Sequence, residues 1–143
     1  MTWLPTMPLL NTDEIMETLQ MIEEENLDIR TITMGISLRD CTDRDPARVR
    51  KLVGEKIVRL SERLVPVAEE IAAEFGIPVI NKRLSVTPLA LVADGHSPDD
   101  FLALAQTLDE AAQQVGVNFI GGFSALVHKG YTRGDEALIQ ALP

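Results

Sequence analysis

An α/β fold built on a parallel sheet is the class this sequence predicts, and three observations predict it. Strand-like and helix-like stretches alternate in the order strand, helix, strand, helix, strand, the pattern of parallel strands joined by right-handed crossovers. Two long helical stretches open on a capping residue followed by proline, Asp45-Pro46 and Ser97-Pro98, and close on glycine, Gly76 and Gly116. The 143 residues are 45% hydrophobic, enough for one compact domain. Aromatics make up only 4%, so the core must rest on Ile, Leu, Val, Ala and Met.

Residues 1–10 read as an irregular leader broken by Pro5 and Pro8, and the α/β segment occupies 11–143. Asn11 with Glu14 makes a capping box for a first helix to about Glu25, with Ile15, Leu19 and Ile22 as its buried stripe. A strand follows from about Ile29 to Leu38. After Asp45-Pro46 a helical stretch runs towards Phe75, and Pro66 must kink or divide it because proline cannot donate a backbone hydrogen bond there. The second strand spans roughly Pro78 to Val86. Beyond a loop through Gly95, the helix opened by Ser97-Pro98 ends near Gly116, with Leu102, Leu104, Ala105 and Leu108 towards the core. A third strand runs from Val117 to about Ser124, and a last helix starts near Asp135.

The strand faces are unusual for a parallel sheet. Strands covered by helices on both sides read as continuous apolar runs. Here Arg30, Ile32, Met34, Ile36 and Leu38 alternate with Thr31, Thr33, Gly35 and Ser37. Ile80, Lys82, Leu84 and Val86 alternate with Asn81, Arg83, Ser85 and Thr87, and in the third strand Asn118, Gly122 and Ser124 alternate with Phe119, Gly121 and Phe123. Either one sheet face meets solvent, or the sheet curls so that its polar face lines a barrel or cleft. A solvated face favours long charged side chains. Thr, Ser, Asn and Gly are short and suit a confined lumen.

Charge and targeting narrow the function classes. Thirteen Lys and Arg against 22 Asp and Glu leave a net charge of −9, which argues against nucleic acid as a partner while allowing a small anion held by one Arg. The amino terminus lacks the basic flank and continuous apolar stretch of a signal peptide, and no run approaches the roughly 20 apolar residues of a membrane span. Cys41 is the only cysteine, so no intramolecular disulfide can form. These features predict a cytoplasmic protein with no membrane partner. They specify no cofactor and no metal-ligand set.

Three stretches carry a family resemblance. They are Asp28 to Leu38 with Asp40-Cys41 after it; Gly76 to Arg83 continuing through Ser85-Val86-Thr87-Pro88; and Phe119 to Val127 with Lys129-Gly130-Tyr131. In this order they resemble the family called domain of unknown function 711, or uncharacterised protein family 0210, over nearly the whole chain from about Asn11. The resemblance implies a fold similar to the α/β barrel of pyruvate formate-lyases and ribonucleotide reductases, in polypeptides several hundred residues long. It implies that this chain is the amino-terminal part of such a barrel, because three strands cannot close one. The rest of a longer chain or a homo-oligomer is then expected to complete it. No activity comes with the resemblance, and whether the protein is an enzyme stays open.

The residues that can carry chemistry each admit two readings. Arg83, on the polar face of a central strand, needs a carboxylate or phosphate of a ligand, or an internal Asp or Glu. Ser85, Thr87, Asn118 and Ser124 are the polar neighbours that would line such a site. Gly121-Gly122 lets a backbone approach an anion, or marks a bulge or close packing. Ser124 and His128 suggest a nucleophile and its base, but the G-x-S-x-G pattern fails and a straight strand separates them by about 13 Å. Cys41 just past the first strand reads as a small buried hydrophobe or as a reactive thiol, which Asp40 and Asp43 would disfavour. Asp40, Asp43 and Asp45 miss the spacing of a calcium loop and read as solvation and capping. Function is thus expected to be binding, or turnover, of a small anionic metabolite in a polar lumen. The alternative is a regulatory protein that binds an effector and oligomerises without catalysis.

Overall fold

A computed structural model describes residues 11–24 and 28–142, so the leader lies outside the described residues. Its elements, in chain order, are α1 (Thr12–Glu23), β1 (Ile29–Ile36), α2 (Pro46–Ser61), α3 (Leu64–Phe75), β2 (Val79–Val86), α4 (Leu89–Val92), α5 (Pro98–Val115), β3 (Phe119–Gly121) and α6 (Arg133–Gln140). Short 3₁₀ turns occupy Arg39–Cys41 and Val127–Lys129. The strands form one parallel sheet in the order β1-β2-β3, as the alternation predicts.

Local chemistry accounts for most helix ends. Asp45 accepts from the Ala47 amide with Pro46 in the first turn, and Ser97 makes a reciprocal capping box with Asp100. Gly76 and Gly116 end α3 and α5 with φ of 67° and 74°, the left-handed region where a side chain is disfavoured. The expected division of the second helical stretch falls between Ser61 and Leu64, which places Pro66 in the first turn of α3, where its missing N–H leaves no bond unmade. The last helix begins two residues earlier than expected, because Thr132 is its cap and Asp135 is the third residue of the box.

Asp135 is buried and takes hydrogen bonds from the Thr132 amide and hydroxyl and from the Leu126 amide. The Thr132 amide is the main cause holding its carboxyl below the ordinary 3.8, with the Thr132 hydroxyl and Leu126 amide adding to it against an opposing effect of burial. A carboxyl with a depressed folded pKa stabilises the fold above its unfolded pKa and loses that contribution as pH falls through the folded value. The Leu126 amide is therefore expected to keep its hydrogen-exchange protection down through pH 3.8 and to lose it only as pH falls through the lower folded value. The Asp135→Asn variant should lack that pH step.

The core lies on one side of the sheet. Ile36, Leu84 and Val86 pack with Val49, Val53 and Ile57 of α2, Phe101, Leu104 and Leu108 of α5, and Leu89 and Ala90 of α4. Gly54 brings α2 against α5, since a Cβ there would meet the Thr107 methyl at 3.1 Å. Leu102, expected in the core, is exposed, and Phe101 takes the buried position instead. Both residues fit an amphipathic pattern, and the direction from which the sheet approaches decides between them.

Three other expectations are corrected. Ile15 and Leu19 are exposed rather than buried, since no element among the described residues packs extensively on α1; the Ile22 side chain lies outside the described residues. β1 stops at Ile36, and Leu38 enters the core beyond it, its amide donating to Thr87 Oγ1 at 3.0 Å. β3 ends at Gly121 rather than Ser124, because Gly122 turns at φ 134° and its carbonyl accepts from Leu89 and Ser124 amides. The helix α4 itself has no counterpart in the sequence reading; at four residues it is too short for a periodic signal.

Candidate functional site

The polar faces of β1 and β2 identified from the sequence lie on the side of the sheet away from the core helices. Thr33, Gly35, Arg83, Ser85 and Phe119 are exposed there. Parallel register sets two rows across the strands. One is Thr33, Arg83 and Phe119, and the next is Gly35, Ser85 and Gly121. The second row bears one hydroxymethyl group between two glycines, so the sheet surface is low beside the guanidinium. At Gly35 an added Cβ would meet nothing within 4 Å, so packing within the described residues does not require glycine there.

Arg83 has no carboxylate within ion-pair distance among the described residues. Its guanidinium lies over the Phe119 ring, 5.9 Å from the centroid. A ring on that side attracts the cation without accepting from its N–H groups, which stay available to an acceptor.

The remaining candidates are dispersed. Alternation puts Asn118 with Gly122 and Ser124 on the polar side of β3, but its side chain belongs to the ladder. Its Oδ1 accepts from the Lys82 amide at 2.8 Å while its own amide donates to the Lys82 carbonyl at 2.9 Å. That pairing puts Phe119 and Gly121 on the face of Arg83, and Ile120 against the core. Asn118 thus borders a cleft of about 280 Å³ beside α5, shared with Asp109 and Phe123. Thr87 is engaged by the Leu38 amide. Gly122 serves close packing, since a Cβ there would meet the Val86 side chain at 2.3 Å and its carbonyl at 2.8 Å.

Ser124 Oγ donates to the Gly122 carbonyl at 3.5 Å, and His128 is exposed in the 3₁₀ turn. Among the described residues no hydrogen bond joins Ser124 and His128; the strand has already ended at Gly121, and both lie in the segment beyond it.

Cys41 is buried, and burial raises its thiol pKa above the ordinary 9.0. The Asp40 carboxylate adds to that rise, and the Lys56 ammonium opposes it. At neutral pH the group is therefore a protonated thiol, a poor nucleophile. Cys41 in the folded protein is expected to react with a disulfide reagent at least about tenfold more slowly than in urea; equal rates would contradict this. Nearby, the Lys56 ammonium pairs with Asp40 and holds its carboxyl below the usual range. Asp43 pairs with Arg48 at 3.2 Å and accepts from the Asp45 amide. Asp45 caps α2. Each acid of the cluster has its own protein partner, and among the described residues no group of three or more His, Cys, Asp or Glu is placed to hold a metal. No described helix is long and apolar enough to cross a membrane.

Phe119 and Thr33 are the members of the Arg83 row that sequence reasoning missed as site residues. Strand alternation placed Thr33 on the polar face, but alternation within β3 could not say which of its faces meets Arg83.

A family model described as an uncharacterised ACR, DUF711, matches residues 20–143. A UPF0210 protein of Halothermothrix orenii is 60% identical over 135 residues, covering 94% of this chain and 30% of the relative. A UPF0210 protein of Listeria monocytogenes is 59% identical over 134 residues with the same coverage of both chains. One from Pelotomaculum thermopropionicum is 57% identical over 135 residues, again 30% of its length. This chain thus spans about 30% of the length of the curated relatives it matches. With the family model covering most of it, the chain belongs to the DUF711, or UPF0210, family.

Proposed function

We propose that the polar face of this sheet forms one wall of a lumen that binds a small anionic metabolite in the complete family protein. The single observation that carries the reading is Arg83. Among the described residues it stands on an uncovered face of the central strand and has no carboxylate partner, beside a surface kept low by Gly35, Ser85 and Gly121. An arginine so placed recognises planar oxyanions through paired N–H bonds. The lumen is that of an α/β barrel similar to those of pyruvate formate-lyases and ribonucleotide reductases, closed by further parts of the polypeptide. It works in the reducing cytoplasm, where Cys41 remains a thiol.

The test is a thermal-shift screen of the full-length protein against carboxylate and phosphate metabolites. At least one is expected to raise the melting temperature, and Arg83→Ala is expected to weaken its binding about tenfold or more while leaving the unliganded melting temperature nearly unchanged. A screen with no hits on a folded protein would remove the basis of the proposal.

A second reading, an effector-binding regulator that oligomerises without turnover, draws on the chemistry of the nucleophiles. Cys41 is buried with its thiol pKa raised, and Ser124 has no bonded base among the described residues. Ligand binding that changes the assembly state without consuming the ligand favours this reading; turnover abolished by Arg83→Ala rejects it.

A further inference from the structure

We infer that Phe119 is a positioning residue for Arg83, holding the guanidinium flat so that its N–H edge faces the anion. The inference rests on the reading of Arg83 as the anion-binding group and deepens it.

Three features converge on the ring. Phe119 is 58% exposed, so burial in the core does not explain a phenylalanine at this place. Its Cε1 lies 3.3 Å from where a Cβ of Gly121 would stand, so glycine two residues along the same face leaves room for the ring against the strand. Arg83, the register partner of Phe119 on β2, then lies over that ring with its Cζ 5.9 Å from the centroid. Phe119 occupies the space left by Gly121, and Arg83 lies over Phe119.

The physical consequence is loss of rotamer freedom before any ligand arrives. An exposed arginine samples many rotamers and must give up that freedom to make two aligned hydrogen bonds. A ring beneath it attracts the cation electrostatically, restricts it to one side of the strand, and leaves the in-plane N–H groups unobstructed. Aromatic stacking does not compete with an oxyanion for those groups, whereas an internal carboxylate would. Phe119 therefore pre-orders Arg83 and does not itself touch the anion.

The experiment uses the full-length protein with inorganic phosphate as the probe, titrated calorimetrically against the wild type, Arg83→Gln, Arg83→Lys, Phe119→Leu, Phe119→Trp and the double variant Arg83→Lys/Phe119→Leu. Phe119→Leu is expected to weaken phosphate binding about fivefold, and Phe119→Trp to hold it within about twofold of wild type, because the indole face also binds a guanidinium. In the Arg83→Lys background Phe119→Leu should have no further effect, since the ring acts through the planar group. A purely structural role for Phe119 would instead reduce binding in both backgrounds and would not be rescued by Trp. Wild-type phosphate affinity in Phe119→Leu, with binding lost in Arg83→Gln, overturns the positioning role and leaves the anion site standing. A wild type that binds no phosphate, or no better than Arg83→Gln, overturns the anion site and this inference with it.

Discussion

Gly122→Ala is expected to destabilise this chain by about 3 to 5 kcal/mol, from two independent effects. The first is conformational. At φ 134° the residue occupies a region that L side chains rarely adopt, with a penalty of about 1–3 kcal/mol. The second is steric. The new methyl would stand 2.3 Å from Val86 Cγ2 and 2.8 Å from the Val86 carbonyl oxygen. A side-chain terminus can rotate away, but the carbonyl belongs to the central strand and cannot shift without disturbing it. Gly122 also presents its carbonyl to the Leu89 amide at 2.9 Å, so displacing it loosens the start of α4. Urea titration followed by circular dichroism measures the change, and Gly35→Ala is the internal control. With ordinary strand geometry and nothing within 4 Å of its new methyl, that variant should differ from wild type by no more than about 1 kcal/mol, on the stable side if at all. Similar midpoints for the two variants would mean that the Gly122 contact does not hold β3 against β2.

Phe101→Ala is expected to lose a similar amount, about 3–5 kcal/mol, by a different mechanism. Phe101 is fully buried near the start of α5 and meets the Phe123 ring edge-on, with centroids 6.5 Å apart and planes at 81°. Truncation removes the transfer free energy of the ring and leaves a cavity that a neighbour must fill. The core cluster it belongs to draws on β1, β2, α2 and α4, so little collapse is available. Phe123 would lose its aromatic partner, and the segment that follows β3 would lose an anchor to α5. Phe101→Leu keeps most of the volume and should lose less than half as much. The midpoint should fall without a change in the denaturant slope. If Phe101→Ala and Leu102→Ala proved equally mild, the assignment of the buried face of α5 would be wrong.

The anion-site reading and the stability predictions draw on different parts of the sheet. Phe101 and Gly122 secure the covered face and the end of β3, whereas Arg83, Ser85 and Phe119 project from the open face. Variants on the open face should therefore change binding with little loss of stability. That separation makes Arg83→Ala and Phe119→Leu usable in solution.

What the sequence determined by itself was whatever depends on residues a few positions apart. The caps at Asp45 and Ser97, the glycine ends at 76 and 116, the division near Pro66, and the polar faces of β1 and β2 all follow from backbone hydrogen bonding and side-chain alternation within one element. Arg83 and Ser85 were legible as a polar pair for that reason. Tertiary structure alone decided which face of β3 joins them. The register is set by Asn118, which bonds twice to the backbone of Lys82, a residue 36 positions away. A slip of one residue exchanges every side chain between the two faces of a strand. Alternation within β3 therefore gave Phe119 two possible sides with no local ground to choose between them. The same limit explains why α1 was expected to be covered and why Leu102 was expected in place of Phe101. Amphipathic periodicity states that a face can be buried, and only the packing of another element against it settles whether it is.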